Sequence, residues 1–203
     1  MLAVLAAGIR PADHVIDVCA APGGKSLLAA EYATDGWVEA RDLTDAKIQM
    51  IEENIRRLNA GHVRVRKQDA RIVTEEYVGQ ADVVLADLPC SGLGVIGRKP
   101  DIKYRITPDD IGALADLQKE ILTAAAAYVK PGGTLIYSTC TVSREENEEN
   151  ARYAAEKLGL IPESLKPYIP KALWGSGAAS GRLTLLPGEY GTDGFFIARF
   201  RRK

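Results

Sequence analysis

The chain has 203 residues, of which 46% are hydrophobic and 26% are charged, and its formal net charge is −1. This length and apolar content suffice for one α/β domain, residues 1–203, with a full hydrophobic core. The near-neutral charge excludes a uniformly basic nucleic-acid-binding fold, although local basic clusters occur.

The first half of the chain alternates short apolar strands with helices. Its opening residues 1–9 are apolar but too short to span a membrane, and we interpret them as the end of a helix packed on the core. The next predicted elements are a strand at 14–18, a helix from Lys25, a strand at 37–41, a helix capped by Thr44 and ended by Gly61, and strands at 63–68 and 82–87.

The second half begins with a charged loop at 88–106, and loops of this length are typically functional or disordered. The elements predicted after it are a helix opened by Thr107-Pro108 and ended by the KPGG stretch at 130–133, a strand at 134–139, a helix at 144–157 with a capping box of Ser143 and Glu146, and a hairpin of 182–187 with 194–200. The alternation predicts an α/β fold with a mostly parallel, doubly wound sheet and a terminal antiparallel hairpin.

Polar side chains lie at the carboxyl end of each of the first five predicted strands. They are Asp17 and Cys19 after strand one, Asp42 after strand two, Asp69 after strand three, Asp87 and Cys90 after strand four, and Cys140 after strand five. In a sheet ordered 3-2-1-4-5, strands one, four and five are neighbours, so all three cysteines converge on the crevice where such sheets bind ligands. Because no C-x-x-C pair occurs, we expect neither a metal site nor a disulfide, and we expect a cytoplasmic protein.

The stretch CAAPGGKS, Cys19 to Ser26, nearly spells a phosphate-binding loop. In that interpretation Lys25 contacts a phosphate, Ser26 holds magnesium and Asp87 ends a Walker B strand, so an ATP-binding module is one alternative. Two features disfavour it. Cys19 replaces the glycine that permits the tight turn, and Pro22 removes an amide donor.

The acids after strands two and three suit a nucleoside better than a phosphate. Asp42 is placed to accept from both ribose hydroxyls, and Asp69 from the exocyclic amine of adenine. Glu39 is a weaker rival of Asp42 for the ribose. A nucleoside cofactor with little or no phosphate, such as S-adenosylmethionine, therefore fits this pattern.

Five stretches together identify a family: DVCAAPGGKS, DLPCSGLG, RKPDIKYR, STCTVSREENEEN and GTDGFFIARF. From about Ile9 to its last residue the chain resembles the Sun/RsmB-type RNA cytosine-5 methyltransferases. The resemblance implies a Rossmann-like, S-adenosylmethionine-dependent methyltransferase fold and, for the bacterial branch, 16S ribosomal RNA as the substrate. Members of the branch carry an N-terminal RNA-binding domain, and this chain starts almost at the first motif. We therefore expect the catalytic domain alone, as a monomer.

The resemblance also implies roles for individual residues. Cys140 is the nucleophile, Cys90 assists product release, and Asp87 hydrogen-bonds or protonates the target base. The residues expected to contact S-adenosylmethionine are Cys19, Ala20, Ala21, Pro22, Gly23, Gly24, Lys25, Asp42, Asp69 and Asp87. The candidates for RNA phosphate contacts are Arg98, Lys99, Lys103 and Arg105. A fold that only binds RNA as a scaffold is a further alternative, which intact Cys140 and Cys90 disfavour.

Overall fold

A mixed β-sheet forms the centre of the computed structural model, which describes residues 1–175 and 177–203. Within those residues the eight strands are β1 His14–Asp17, β2 Trp37–Asp42, β3 Val63–Lys67, β4 Ala81–Asp87, β5 Val129–Thr139, β6 Leu160–Pro162, β7 Arg182–Leu185 and β8 Phe195–Arg202. The strand order is β3-β2-β1-β4-β5-β8-β6, and β7 pairs with β8 outside that path. Strands β1 to β5 pair in parallel, whereas β8 runs antiparallel to β5, β6 and β7.

Helices follow most of the parallel strands. Those in the described residues are α1 Leu2–Ala7, α2 Gly24–Tyr32, α3 Asp45–Leu58, α4 Ile102–Arg105, α5 Pro108–Tyr128 and α6 Asn150–Lys157. Short 3-10 turns occur at Glu75–Tyr77, Leu93–Val95, Lys171–Leu173, Ala178–Ser180 and Glu189–Gly191, and a π-helical turn, Glu145–Glu149, leads into α6. None of the helices in the described ranges is long and apolar enough to cross a membrane.

The sheet is covered on both faces because consecutive residues of its central strands are apolar. Val15 and Val83 pack on one face with α1, α2 and α3, whereas Ile16 and Val84 pack on the other face with α5 and α6. An uninterrupted apolar run is what a parallel strand buried on both faces requires. The predicted doubly wound sheet and its 3-2-1-4-5 order are therefore confirmed.

The terminal strands are more extensive than the sequence predicts. The hairpin of β7 and β8 is confirmed, but β8 also pairs with β5 along Thr134–Thr139 and so joins the main sheet. The three-residue β6, which the sequence analysis missed, pairs with the other edge of β8. The long helix α5 ends at Tyr128, and the KPGG stretch expected to end it lies inside β5, where the register with β4 shifts.

Two other boundaries differ from the prediction. Helix α3 ends at Leu58 rather than at Gly61, because Asn59 adopts the left-handed conformation (φ 53°) and donates its N–H to the Arg56 and Ile55 carbonyls. The predicted loop at 88–106 also contains α4 and the 3-10 turn Leu93–Val95. Helices this short are not predicted in a charged segment with several glycines, because they have no apolar repeat to mark them.

The predicted capping box of Ser143 and Glu146 forms only in half. Ser143 Oγ accepts from Glu146 N at 3.3 Å, but the Glu146 carboxylate turns away to Ser91. The segment predicted as a helix at 144–157 therefore begins as the π-helical turn Glu145–Glu149 and continues as α6. The Glu146 carboxylate therefore binds a loop that is distant in sequence and does not cap its own helix.

Arg199 of β8 joins the two ends of the domain. Its side chain is 2% exposed, and its Nη1 donates to the carbonyls of Ala6 (2.6 Å) and Ala7 (2.7 Å) at the end of α1. Its Nε donates to Glu163 at 2.7 Å, and its guanidinium stacks on the Tyr168 ring at 4.0 Å. A cation at a helix carboxyl end also interacts favourably with the helix dipole.

Replacing Arg199 with alanine should lower the free energy of unfolding by about 3–5 kcal/mol, because it leaves buried acceptors without donors. Arg201→Ala is the matched control. Arg201 pairs with the same Glu163 from the same strand but is 41% exposed, so its loss should cost at most about 1 kcal/mol. Urea unfolding measures both, and equal losses would contradict the role of Arg199.

Candidate active site

Two thiols meet at the carboxyl ends of β4 and β5. Cys90 Sγ lies 3.3 Å from Cys140 Sγ, within hydrogen-bond distance for sulfur. This hydrogen bond lowers the pKa of Cys140 against the opposing effect of burial, and the same bond together with burial raises the pKa of Cys90. Cys140 is therefore the more acidic thiol of the pair, and Cys90 is the thiol that more readily keeps its proton.

Backbone hydrogen bonds hold the loops that carry these thiols. Leu88 N donates to Ser138 O at 3.0 Å, and Gly94 N donates to Cys140 O at 3.0 Å. Gly94 O in turn accepts from Gly194 N at 2.8 Å. Three backbone segments thus approach so closely at Gly94 that only a glycine fits there.

Asp87 and Lys25 form an ion pair beside the thiols. Lys25 Nζ lies 2.6 Å from Asp87 Oδ2, and Ser138 Oγ donates to Asp87 Oδ1 at 2.6 Å. Burial opposes the charge of Lys25, but the Asp87 carboxylate outweighs it and the pKa of Lys25 is raised. The Asp87 carboxylate raises the pKa of Cys140, and the charge of Lys25, with a smaller effect, lowers it. The ion pair therefore places a fixed cation and a fixed carboxylate next to Cys140.

A cavity of about 480 Å³ opens at the carboxyl ends of β1 to β4. Its lining residues are Val18, Cys19, Ala21, Asp42, Leu43, Lys47, Gln68, Asp69, Ala70, Arg71, Asp87, Leu88, Pro89, Leu117 and Ile121. Five of the residues predicted to contact a cofactor are among them: Cys19, Ala21, Asp42, Asp69 and Asp87. The volume is in the usual range for small-ligand sites.

The other predicted cofactor residues lie outside this lining. Lys25 is paired with Asp87, and Ala20 N donates to Arg41 O at 2.8 Å. Pro22 and Gly24 line a separate cavity on the far side of the loop. Gly23 supplies a turn, since its φ is +105° and its N–H donates back to the carbonyl of residue 20.

Cys19 is not part of the thiol pair, and its surroundings act differently on its pKa. It lines the cavity, where burial, followed by the carboxylates of Asp42 and Asp17, raises the pKa of its thiol. The predicted convergence of three cysteines thus yields one hydrogen-bonded pair, Cys90 and Cys140, and one separate thiol in the cavity wall.

Asp42 is placed at the cavity as predicted, and its carboxylate is already held in position. It accepts from Ala21 N (3.0 Å), Leu43 N (2.8 Å) and Lys47 Nζ (2.9 Å). Glu39, the rival for the ribose, faces away from the cavity and bonds to Arg41 at 2.6 Å and to Tyr77 at 2.9 Å. Glu39 therefore has no role in the cavity.

Asp69 lines the cavity but is bound to a neighbour. Arg71 contacts both of its carboxylate oxygens at 2.6–3.2 Å, and its side chain and its backbone N–H lower the pKa of Asp69. Lys47, Gln68 and Arg71 all line the cavity, and the sequence analysis missed them. Gln68 and Arg71 flank Asp69 closely in sequence, which is the one signal that points to them.

The ligand that these residues fit is rich in hydrogen-bond donors. The cavity presents carboxylates at Asp42, Asp69 and Asp87, and its two cations, Lys47 and Arg71, are each paired with one of them. Gln68 Oε1 is buried and has no partner in the described residues. An acceptor-rich cavity of this size suits a nucleoside with hydroxyl, amine and cationic groups, and disfavours a phosphate.

The phosphate-binding alternative also fails at the serine that it requires. Ser26 is fully buried and donates to Asp17 Oδ2 at 2.7 Å, so its hydroxyl does not face a nucleotide. Burial raises the pKa of Asp17 to about 7 in spite of that bond. Within residues 1–175 and 177–203, no group of three or more His, Cys, Asp and Glu side chains could hold a metal ion.

The predicted phosphate-contacting residues lie on the segment after Cys90. Arg98 pairs with Asp193 at 3.0 Å, and Arg105 approaches Asp101 at 3.4 Å, yet both arginine side chains are more than three-quarters exposed. Lys99 and Arg105 line an open groove of about 900 Å³ between α4 and α5. The groove adjoins the cavity, because Leu117 lines both of them.

A sequence model of the family described as 16S rRNA methyltransferase RsmB/F matches residues 4–201. The chain is 41% identical over 215 aligned residues to the probable ribosomal RNA small subunit methyltransferase B of Bacillus subtilis, covering 100% of the chain and 46% of that protein. It is 36% identical over 205 residues to methyltransferase F of Cronobacter sakazakii, covering 98% of the chain and 42% of that protein. The chain thus spans less than half the length of these curated relatives.

A solved structure shares the architecture. The crystal structure of NSun6 from Pyrococcus horikoshii with the S-adenosylmethionine analogue SFG superimposes with a TM-score of 0.87 at 34% identity. The match covers 99% of this chain and 50% of that one. The fold is accordingly the Rossmann-like methyltransferase fold.

A side chain at Gly94 should disrupt the junction of the three segments. A Cβ there would lie 2.3 Å from Gly194 O and 2.7 Å from Cys140 O, so Gly94→Ala should lower the free energy of unfolding by about 1–3 kcal/mol. Gly97→Ala is the control, since a Cβ at Gly97 meets nothing within 4 Å. Urea unfolding compares them, and a Gly94 variant as stable as the Gly97 variant would refute the close approach.

Proposed function

We propose that this chain, which belongs to the 16S rRNA methyltransferase RsmB/F family, transfers a methyl group from S-adenosylmethionine to carbon 5 of a cytosine in 16S ribosomal RNA. The single observation that carries the proposal is the thiol pair, in which Cys90 Sγ lies 3.3 Å from Cys140 Sγ and the pKa of Cys140 is lowered. A pair of this kind beside an acceptor-rich cavity suits covalent catalysis next to a bound nucleoside. Neither an ATP-binding module nor a passive RNA scaffold has a use for it.

S-adenosylmethionine supplies an electrophilic methyl group on a positively charged sulfonium. Asp42 binds its ribose hydroxyls from the end of β2, and the fixed hydrogen bonds to Ala21 N and Leu43 N keep this carboxylate in place. Asp69 would hold the adenine amine, and Val18, Leu88 and Ile121 form apolar walls. The carboxylates of Asp42, Asp69 and Asp87 also favour a cationic ligand over an anionic one.

Cys140 begins the reaction by attacking the cytosine. Its thiolate adds to carbon 6, so that the Sγ–C6 bond forms and the electrons of the C5–C6 double bond become available at carbon 5. Carbon 5 would then accept the methyl group that S-adenosylmethionine supplies, and S-adenosylhomocysteine would leave. Addition is needed because carbon 5 of cytosine is otherwise a weak nucleophile, and the covalent bond divides one difficult step into two.

Cys90 completes the reaction by removing the proton from carbon 5. Its pKa is raised first by its hydrogen bond to Cys140 and then by burial and by the charge of Cys140. Both effects of Cys140 vanish once that sulfur is bonded to carbon 6. Cys90 then gives its own proton to water and accepts the C5 proton, the double bond re-forms, and Cys140 leaves as a thiolate.

Asp87 and Lys25 stabilise charge while the base is attached. Asp87 lines the cavity and carries a hydrogen bond from Ser138 and an ion pair with Lys25. Electron density pushed into the ring by the thiolate is offset by the Lys25 ammonium, which its ion pair with Asp87 holds beside Cys140. Such fixed groups need no reorganisation during the step.

The RNA approaches along the segment after Cys90. Arg98, Lys99, Lys103 and Arg105 contact its phosphates, and these contacts make binding dependent on salt. The target cytosine is unpaired or flipped out, since carbon 6 must reach a half-buried thiolate in a crevice. The role of this segment explains its charge in a chain that is close to neutral.

Asp42→Ala should weaken S-adenosylmethionine binding by about 10- to 150-fold, the range expected when a hydrogen bond to a charged group is lost. Calorimetry without magnesium measures this affinity, and thermal unfolding checks that the variant is folded. Asp45→Ala is the control, because Asp45 is exposed and its one ion pair among the described residues is with Lys67. Unchanged affinity in a folded Asp42 variant would remove it from the cofactor site, and magnesium-dependent ATP binding would favour the alternative module.

Cys140→Ser and Cys90→Ser should fail in different ways. Without Cys140 no addition occurs, so methyl transfer stops and no adduct forms. Without Cys90 addition and transfer proceed but elimination stalls, so a covalent protein–RNA complex accumulates. Denaturing gel electrophoresis with labelled 16S RNA detects that complex directly.

The double variant Cys90→Ser/Cys140→Ser serves as the control and should form no adduct. An adduct in Cys140→Ser but not in Cys90→Ser would reverse the roles of the two thiols. Methyl transfer retained in both single variants, with no adduct in either, would reject the covalent mechanism.

A further inference from the structure

Glu146 holds the residues on both sides of Cys90. Its carboxylate accepts from Ser91 N at 2.9 Å and from Ser91 Oγ at 2.5 Å. It also accepts from Gln118 Nε2 at 2.9 Å, and the second hydrogen of that amide goes to Pro89 O, also at 2.9 Å. One carboxylate and one amide thus fix the peptide groups immediately before and after the thiol.

Asn147 holds the residues on both sides of Cys140 in the same way. Its Oδ1 accepts from Thr139 Oγ1 at 2.5 Å, and its Nδ2 donates to Thr141 O at 3.0 Å. Glu146 and Asn147 are neighbours on the π-helical turn Glu145–Glu149, so one turn contacts the two thiol-bearing loops. Single π-helical turns occur frequently at functional sites.

A hydroxyl pair links the two arrangements. Ser91 Oγ lies 2.7 Å from Thr141 Oγ1. Since the Ser91 hydroxyl donates to Glu146, the Thr141 hydroxyl is the donor to Ser91. Glu146, Asn147 and Gln118 have no exposed surface, and Ser91 and Thr141 are buried with them.

Stability alone does not account for this choice of residues. Burying a carboxylate is unfavourable, and an apolar replacement of similar volume is often neutral or stabilising. No ion pair in the described part of the chain includes Glu146, so no cation offsets its burial. Its carboxylate does not cap the helix either, because the Ser143 N–H donates to Thr141 Oγ1 instead.

We propose that Glu146 and Asn147 are positioning residues that together set the separation of the two thiols, with Glu146 fixing Cys90 and Asn147 fixing Cys140. The inference rests on the proposed function, because the thiols matter only if they act in turn on the same base. It assigns Glu146 to the elimination step and Asn147 to the addition step.

The role of Glu146 is tested by alkylating Cys140 with iodoacetamide as a function of pH, with peptide mapping to follow Cys140 alone. In Glu146→Ala the Cys90 loop relaxes and the thiol–thiol hydrogen bond is lost, so the profile should shift to higher pH, as it should in Cys90→Ala. In the double variant Glu146→Ala/Cys90→Ala the two shifts should not add, because both substitutions remove the same thiol–thiol hydrogen bond. A folded Glu146→Ala with the profile of the unaltered protein, or fully additive shifts, would overturn the proposal.

Conservative and matched variants separate positioning from a general loss of structure. In Glu146→Gln the amide can donate to Ser91 Oγ while Ser91 turns to donate to Thr141, so every contact survives and the profile should stay unchanged. Glu145→Ala, on the same turn, should also leave it unchanged, since Glu145 is exposed and accepts from Ser143 Oγ. If Glu146→Ala does not fold, Ser91→Ala carries the same test, and an unshifted profile there would equally overturn the proposal.

The adduct assay tests the division of roles. Glu146→Ala should accumulate the protein–RNA adduct and turn over about 100-fold more slowly, the loss typical of a catalytic group displaced by about 1 Å. Asn147→Ala should instead lose adduct formation itself. The same behaviour in both variants would overturn the assignment of separate steps.

Failure of the proposed function is distinguishable from failure of this inference. The alkylation profile requires neither RNA nor S-adenosylmethionine. A shift in Glu146→Ala together with no methyl transfer by the unaltered protein would reject the function and keep the positioning role.

Discussion

The hydrogen bond between the thiols of Cys90 and Cys140 is the contact that the rest of the site must preserve. A thiol is a weak donor, so this bond tolerates little error in the distance between two loops that belong to different strands. Parallel pairing of β4 and β5 brings the loops to the same edge of the sheet, but pairing ends at Asp87 and Ser138, short of either sulfur. The remaining residues depend on the Gly94 junction and on the buried network around Glu146 and Asn147.

Much of the architecture could be predicted from sequence because it follows from local patterns. Uninterrupted apolar strands separated by helices specify a parallel sheet covered on both faces, and ligands in such a sheet bind at the carboxyl ends of its strands. That logic placed Asp42, Asp69, Asp87, Cys90 and Cys140 at one edge, where the structure also has them. The choice between Asp42 and Glu39 as the ribose-binding acid was harder to make from sequence. Residues three apart on a strand point to opposite faces of the sheet, and Glu39 bonds to Arg41 on the face away from the cavity.

The parts that sequence reasoning missed depend on contacts between distant segments. Ser143 and Glu146 have the spacing of a capping box, but the Glu146 carboxylate accepts hydrogen bonds from Ser91 and Gln118 instead. Strand β6 is too short for an alternating pattern to be detected, and it forms only because β8 offers it an edge.

The position of β8 has a consequence for how the chain is made. It is the last strand in sequence but lies in the middle of the sheet order, between β5 and β6. A ribosome that synthesises this chain therefore finishes β5 well before the strand that covers it. During that interval the apolar stretch from Leu135 to Tyr137 borders an edge of free N–H and C=O groups, which is a template for association with other chains. Arg199 emerges with the covering strand, so the same event protects the edge and anchors α1 to the finished domain.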